Sequence, residues 1–177
     1  MLQEMVQEIE NTARNVVDEI HTALPGKIVS FNSGKCTAVV KPACKYRTAG
    51  GEQIEYPAIS DVPVVFPMCQ SKSIGMAYPV KAGDSCLIIC CETEVDEWRS
   101  GGESEGALRF DLTNAVVIPG LLKTGNDLVT KACNENAVVI KNGSTKLTVT
   151  GSQVEVEGKL RVKGSIYYTG EIIRGGY

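Results

Sequence analysis

Between Ala137 and Ile173 the chain runs as short alternating strands, each closed by a glycine. This pattern constrains the fold more than any other. The segments are Thr145–Thr150, Gln153–Glu157, Lys159–Lys163 and Ser165–Thr169, and the glycines are Gly143, Gly151, Gly158, Gly164 and Gly170. The intervals between those glycines shrink from eight to seven to six and six residues. Val138, Ile140, Leu147, Val149, Val154, Val156, Leu160, Val162, Ile166, Tyr168 and Ile172 make one apolar row, and Thr, Lys, Glu, Arg and Gln make the other. A strand with one apolar row must bury it. A one-residue slip would expose the whole row, so register is strongly specified. These strands are too short to close a core alone, so stacking against identical copies is expected, giving an elongated oligomeric rod.

The N-terminal end follows a different period. Leu2, Val6, Ile9, Ala13, Val16, Ile20 and Ala23 alternate at spacings of four and three, a heptad seam that predicts a helix over 1–24. Pro25-Gly26 is expected to stop it, with His21 in its last turn. Met5 and Val17 widen the stripe, which favours packing on the helix's own domain, while a bundle between chains stays open. The segment carries five acids, Glu4, Glu8, Glu10, Asp18 and Glu19, against Arg14.

Residues 25–120 read as a small β domain. Lys27–Phe31 is a strand, Asn32-Ser33-Gly34 a turn, and Lys35–Lys45 the return strand. A glycine hairpin at Ala49-Gly50-Gly51 precedes Gln53–Ile59, Val62–Phe66 and the buried run Ser85–Cys91. Pro63, Pro67 and Pro79 stand at strand margins. Glu94–Arg99 forms one helical turn with Trp98 as its anchor. About five strands with Greek-key-like loops predict an OB-type barrel. Residues 121–177 then hold a linker around Lys123–Asn126 and the strand series. The fold class is therefore mainly β: N-terminal helix, OB-type barrel, C-terminal strand stack.

The residues offer little chemistry. A net charge of −3 speaks against a nucleic-acid binder, and the basic residues of the tail are interspersed with acids. Seven cysteines, an odd number without a Cys-x-x-Cys pair, fit neither a secreted disulfide framework nor a zinc site. Cys86 and Cys90 share a strand face and Cys91 lies on the other, as small buried hydrophobes do. His21 is the single histidine, and no nucleophile is flagged near it. The acids Glu92, Glu94, Asp96 and Glu97 read as a solvated loop, and Ser100-Gly101-Gly102-Glu103 lacks the Gly-Lys-Ser/Thr of a phosphate cradle. Neither catalytic activity, nor a cofactor, nor a metal is expected. The N-terminus lacks the basic and apolar regions of a secretory leader, and no run approaches the ~20 apolar residues of a membrane span, so cytoplasmic synthesis is expected.

Ordered motifs over roughly residues 20–120 carry a resemblance. Ala23-Leu24-Pro25-Gly26-Lys27-Ile28-Val29-Ser30-Phe31, Tyr56-Pro57, Asp61-Val62-Pro63-Val64-Val65-Phe66-Pro67 and Tyr78-Pro79-Val80-Lys81-Ala82-Gly83-Asp84 are similar to central-spike proteins of contractile phage tails and phage-tail-like bacteriocins. Glu97-Trp98, Arg109-Phe110-Asp111-Leu112 and Ile118-Pro119-Gly120 continue the match. The resemblance implies a homotrimer whose C-terminal strands intertwine as a triple-stranded β-helix, with the apolar row as trimer core. It also implies OB domains joined to the tail hub and baseplate, and a needle facing the target envelope. Many such spikes hold iron at the tip through a His-x-His pair. Here the tip would be Ile173, Arg174, Gly175, Gly176 and Tyr177, without histidine, so no tip metal is expected. Apolar packing or a separate tip-cap protein would close the apex, and exposed Ile and Gly lean toward the cap. The implied location is a virion or bacteriocin particle. The competing reading is an OB module that grips nucleic acid or glycan on a trimeric stalk.

Overall fold

The computed structural model describes residues 2–18, 20–48, 50–69, 74–103, 108–173 and 175. The chain divides into two compact units, Met1–Lys123 and Thr124–Tyr177. The first begins with α1 (Leu2–Asp18), followed by β1 (Ala23–Asn32), β2 (Thr37–Pro42), β3 (Lys45–Arg47), β4 (Gln53–Glu55) and β5 (Ile59–Pro63). Then come β6 (Met68–Cys69), β7 (Ile74–Gly75), β8 (Ser85–Cys90), α2 (Val95–Ser100) and β9 (Ala115–Pro119).

Five of these strands form an antiparallel sheet in the order β5-β2-β1-β8-β9. Register shifts between Ile28 and Ser30, and between Ala38 and Val40, curl it, as bulges do. The two edges then approach. Val64 bridges Val117 in parallel, and the Val65 amide donates to the Val117 carbonyl at 2.9 Å. The result is a half-barrel with OB-like strand order. Its core alternates along each strand: Ile28, Val40, Val62, Ile88 and Val117 are buried, with Cys86 and Cys90 beside Ile88 on β8. Burial pushes both thiols up to about 11, so they serve as apolar filler.

The strand expected at Val62–Phe66 runs instead as Ile59–Pro63, and four other expectations are revised. The first helix ends at Asp18, not Leu24, because Ala23 and Leu24 already pair with Ile89 and Ile88. Leu24 also packs on the core, so ladder bonds and burial override the continuing helical period. His21 accordingly lies beyond the helix, its amide donating to the Phe110 carbonyl at 3.0 Å. The expected strand Gln53–Ile59 splits around Tyr56-Pro57, where proline offers no donor: β4 pairs with β3, and Ile59 enters the main sheet. In the third place, the barrel is completed by β9, a strand absent from the sequence reading. Fourth, α2 forms as expected, but Trp98 is 75% exposed and anchors nothing.

Pro25-Gly26 is not a helix stop but part of β1, with Gly26 opposite both Cys86 and Pro42. A Cβ at Gly26 would stand 2.6 Å from the buried Ile88 Cδ1 and 3.1 Å from the Lys41 carbonyl oxygen. Gly26→Ala is therefore expected to destabilise the barrel by about 1–3 kcal/mol. A lowered urea midpoint at unchanged slope would register this.

The second unit holds α3 (Asp127–Asn134), β10 (Val138–Asn142), β11 (Thr145–Val149) and β12 (Val154–Glu157). The helix starts on Asn126, whose side chain accepts from the Leu128 amide at 2.8 Å. The three strands form an antiparallel meander in chain order. Beyond Glu157 the expected strands Lys159–Lys163 and Ser165–Thr169 are absent, and no β-helix is evident in the single chain. A strand is defined by its pairing, and although β10 and β12 each keep a free edge, this segment forms no ladder with either among the described residues.

Candidate functional site

Register decides what the C-terminal unit presents. Val138 opposes Val149, which opposes Val154, while Ile140 opposes Leu147, which opposes Val156. Strand neighbours in register share a face, so these six aliphatic residues form two cross-strand rows on one side of the meander. Leu147 and Val156 are half-buried, and Val138, Ile140, Val149 and Val154 are exposed. The sequence assigns this row to the interior, but in the single chain it is open.

The covered face is the other one. There Thr148 is 1% exposed and Val139 half-buried, and α3 places Lys131 Nζ 3.3 Å from Glu157 Oε1. Lys146 Nζ lies 2.8 Å from Glu157 Oε2. Hydrogen bonds from Lys146, then Lys131, hold the Glu157 carboxyl below its usual range, and the bond to Glu157 raises Lys131. The helix and its ion pairs therefore occupy the polar side, leaving the aliphatic side uncovered.

The chain beyond β12 keeps a repeating backbone. Gly158, Gly164 and Gly170 have φ of 129°, 133° and 141°, a region that side-chain-bearing residues avoid. They recur every six residues. Leu160 and Val162 follow the first glycine at the offsets at which Ile166 and Tyr168 follow the second, and Ile172 repeats the offset of Leu160. All five are exposed, and no strand pairing involves them. Of the candidate tip, Ile173 is 84% exposed and Gly175 is exposed, whereas Arg174, Gly176 and Tyr177 lie outside the described residues.

Two of the several recesses in the first unit bring aromatic or charged groups together. One, about 740 Å³, is lined by Asn15, Asp18, His21, Tyr46, Arg47, Tyr56 and Pro57. The His21 ring meets Tyr56 edge-on at 5.6 Å, and Tyr46 stands 4.9 Å from Tyr56. Burial is the main reason the Tyr56 hydroxyl is raised, which keeps it protonated. The other, about 460 Å³, gathers Lys27, Lys41, Lys45 and Lys123 around Val29, Pro42 and Ala43. Lys27 and Lys41 are direct cross-strand partners, and Glu55 bonds Lys41 at 2.6 Å. That bond, with the charges of Lys41 and Lys45, holds Glu55 below its usual range. No basic cluster stands out in the sequence because Lys27, Lys41 and Lys123 are distant along the chain; the register brings Lys27 to Lys41.

Among the described residues no group of three His, Cys, Asp or Glu could hold a metal ion, and no helix is long and apolar enough to cross a membrane. A family model described as phage protein Gp138 N-terminal domain matches residues 24–120, 97 of the 177 residues. That span contains nearly the whole five-stranded half-barrel, which begins at Ala23 and ends at Pro119. No curated protein matches the chain.

Proposed function

Since this chain belongs to the Gp138 N-terminal-domain family and is a phage structural protein, we propose that it is the homotrimeric central spike of a contractile injection tail. The single observation that carries this reading is the C-terminal unit. An open aliphatic sheet face is followed by a six-residue glycine repeat whose backbone finds no partner in its own chain. Three copies wound about one axis would satisfy both needs. Val138, Ile140, Leu147, Val149, Val154 and Val156 would turn inward, and Leu160, Val162, Ile166, Tyr168 and Ile172 would continue the seam. The backbone of 158–173 would pair between chains.

The work of such a protein is mechanical and needs no active site. Sheath contraction supplies the force, and interchain ladders resist it because extracting one chain breaks many hydrogen bonds together. The OB-like half-barrels would seat on hub and baseplate proteins. The exposed Ile172 and Ile173 would meet a separate tip protein or the target envelope. The particle would be a phage virion or a bacteriocin. Light scattering at micromolar concentration tests this: a mass of three 19.0 kDa chains is expected, and a folded single-chain species would overturn the spike.

One observation favours a second reading. The groove gathers Lys27, Lys41, Lys45 and Lys123 against the single carboxylate of Glu55, which bonds Lys41, so it keeps a net positive charge that an anion would offset. In that reading the half-barrel grips nucleic acid or an anionic glycan on a trimeric stalk. Affinity that falls with salt, and with Lys41→Ala, would support it over a purely mechanical role.

A further inference from the structure

The apolar stripe of α1 is left uncovered. Every described residue of Leu2–Asp18 is exposed, including Leu2, Ile9 (61%) and Val16. The expectation that its apolar stripe lies on its own domain is therefore not met. A helix of 17 residues sits near the length below which isolated helices are marginal in water. Something outside the single chain must cover it.

We propose that the occupant is two further copies of the same helix, so that α1 closes a parallel three-helix bundle at the barrel end of the trimer. The proposal rests on the trimeric reading above. Four features point to this occupant. First, the spacing fixes a heptad: Val6 and Ala13 take the a positions, and Leu2, Ile9 and Val16 the d positions. Second, although Leu2 holds the d position at the very start of the helix, β-branched Val6 at a with Ile9 and Val16 at d disfavours a two-stranded coil and suits three or four strands, of which a trimer takes three. Third, the charges comply with self-association. Glu4, Glu8 and Asp18 fall on outward positions, and the flanking rows hold Gln3, Glu10 and Val17 on one side and Met5 and Thr12 on the other. No two acids face each other across such an interface, although the helix as a whole is acidic. Met5 and Val17 on those rows also widen the apolar contact, as a third helix requires. Fourth, each helix ends four residues before β1, so a trimer held at its other end supplies the three helices at high effective concentration.

Photo-crosslinking of the full chain tests this. Ile9 is replaced by p-benzoylphenylalanine, irradiated, and the products separated under denaturing conditions beside a chain carrying the same group at Glu8, an outward position. Covalent dimers and trimers from position 9, lost at position 8, are the expected result. A trimeric mass with adducts confined to single chains would overturn the bundle and leave the spike standing. A solitary chain would remove both. If the group at Ile9 blocks assembly, the same measurement at Val16 decides.

Discussion

Val156→Asp is expected to abolish the trimer at neutral pH while leaving the chain folded. In the single chain Val156 is half-buried on β12, a terminal strand of the meander, opposite Leu147. A carboxylate there can still reach water when the sheet is alone. Around a shared axis the same position would bring three carboxylates together out of water, each at a cost of several kcal/mol. The species should therefore sediment as one 19.0 kDa chain with an unchanged far-ultraviolet spectrum of the half-barrel. Burial in a trimer would raise the new carboxyl above its free value. The penalty is thus felt at neutral pH and relieved as pH falls through that raised value, so partial reassembly near pH ~4–5 is expected. Glu155→Gln, on the opposite face, should leave assembly intact. A Val156→Asp trimer as stable as the parent would show that the aliphatic rows are not the interface.

The aliphatic rows are legible in the sequence because a period of two survives in isolation. The same rule finds β8, β11 and β12 and the burial of Cys86 and Cys90. Where the sequence misleads, a local period runs on past the element it belongs to. Ile20 and Ala23 still fit the heptad, yet the ladder to β8 claims Ala23. The tail shows the reverse limit. Its glycine spacing marks a repeat, but spacing carries no information on where the partner strand comes from, so Lys159–Lys163 and Ser165–Thr169 read as strands that one chain does not form. Short α3 goes unread although Asn126-Asp127 is a capping signal, because eight residues hold barely two turns of period. The lysine groove and the partners of Asn114 are invisible for a common reason: they are assembled by register and by loops, from residues far apart along the chain.

Asn114 gives the second large effect. It is 6% exposed, in the excursion between β8 and β9. Its Oδ1 accepts from the Val95 amide at 3.0 Å. Its Nδ2 donates to the carbonyls of Cys91 (3.1 Å), Thr93 (2.9 Å) and Leu108 (2.8 Å), so one hydrogen is shared. One side chain thus ties the exit of β8, the start of α2 and the turn that precedes β9. Asn114→Asp keeps the shape and the acceptor for Val95, but turns an anionic oxygen toward three carbonyl oxygens. A loss of about 3–5 kcal/mol is expected, enough to lower the melting temperature by about 10–20 °C. Asn114→Ala, which removes the bonds without adding charge, should lose less. The pH trend separates the causes. In the parent, bonds from Thr113 hold the Asp111 carboxyl below its usual range, a contribution present above the ordinary carboxylate pKa and lost as pH falls through the depressed one. The carboxyl introduced at position 114 would be raised instead, so its penalty applies above that raised value and fades on acidification. The gap between variant and parent should therefore narrow as pH falls. A variant melting within a few degrees of the parent at neutral pH would show that Asn114 does not hold these loops together.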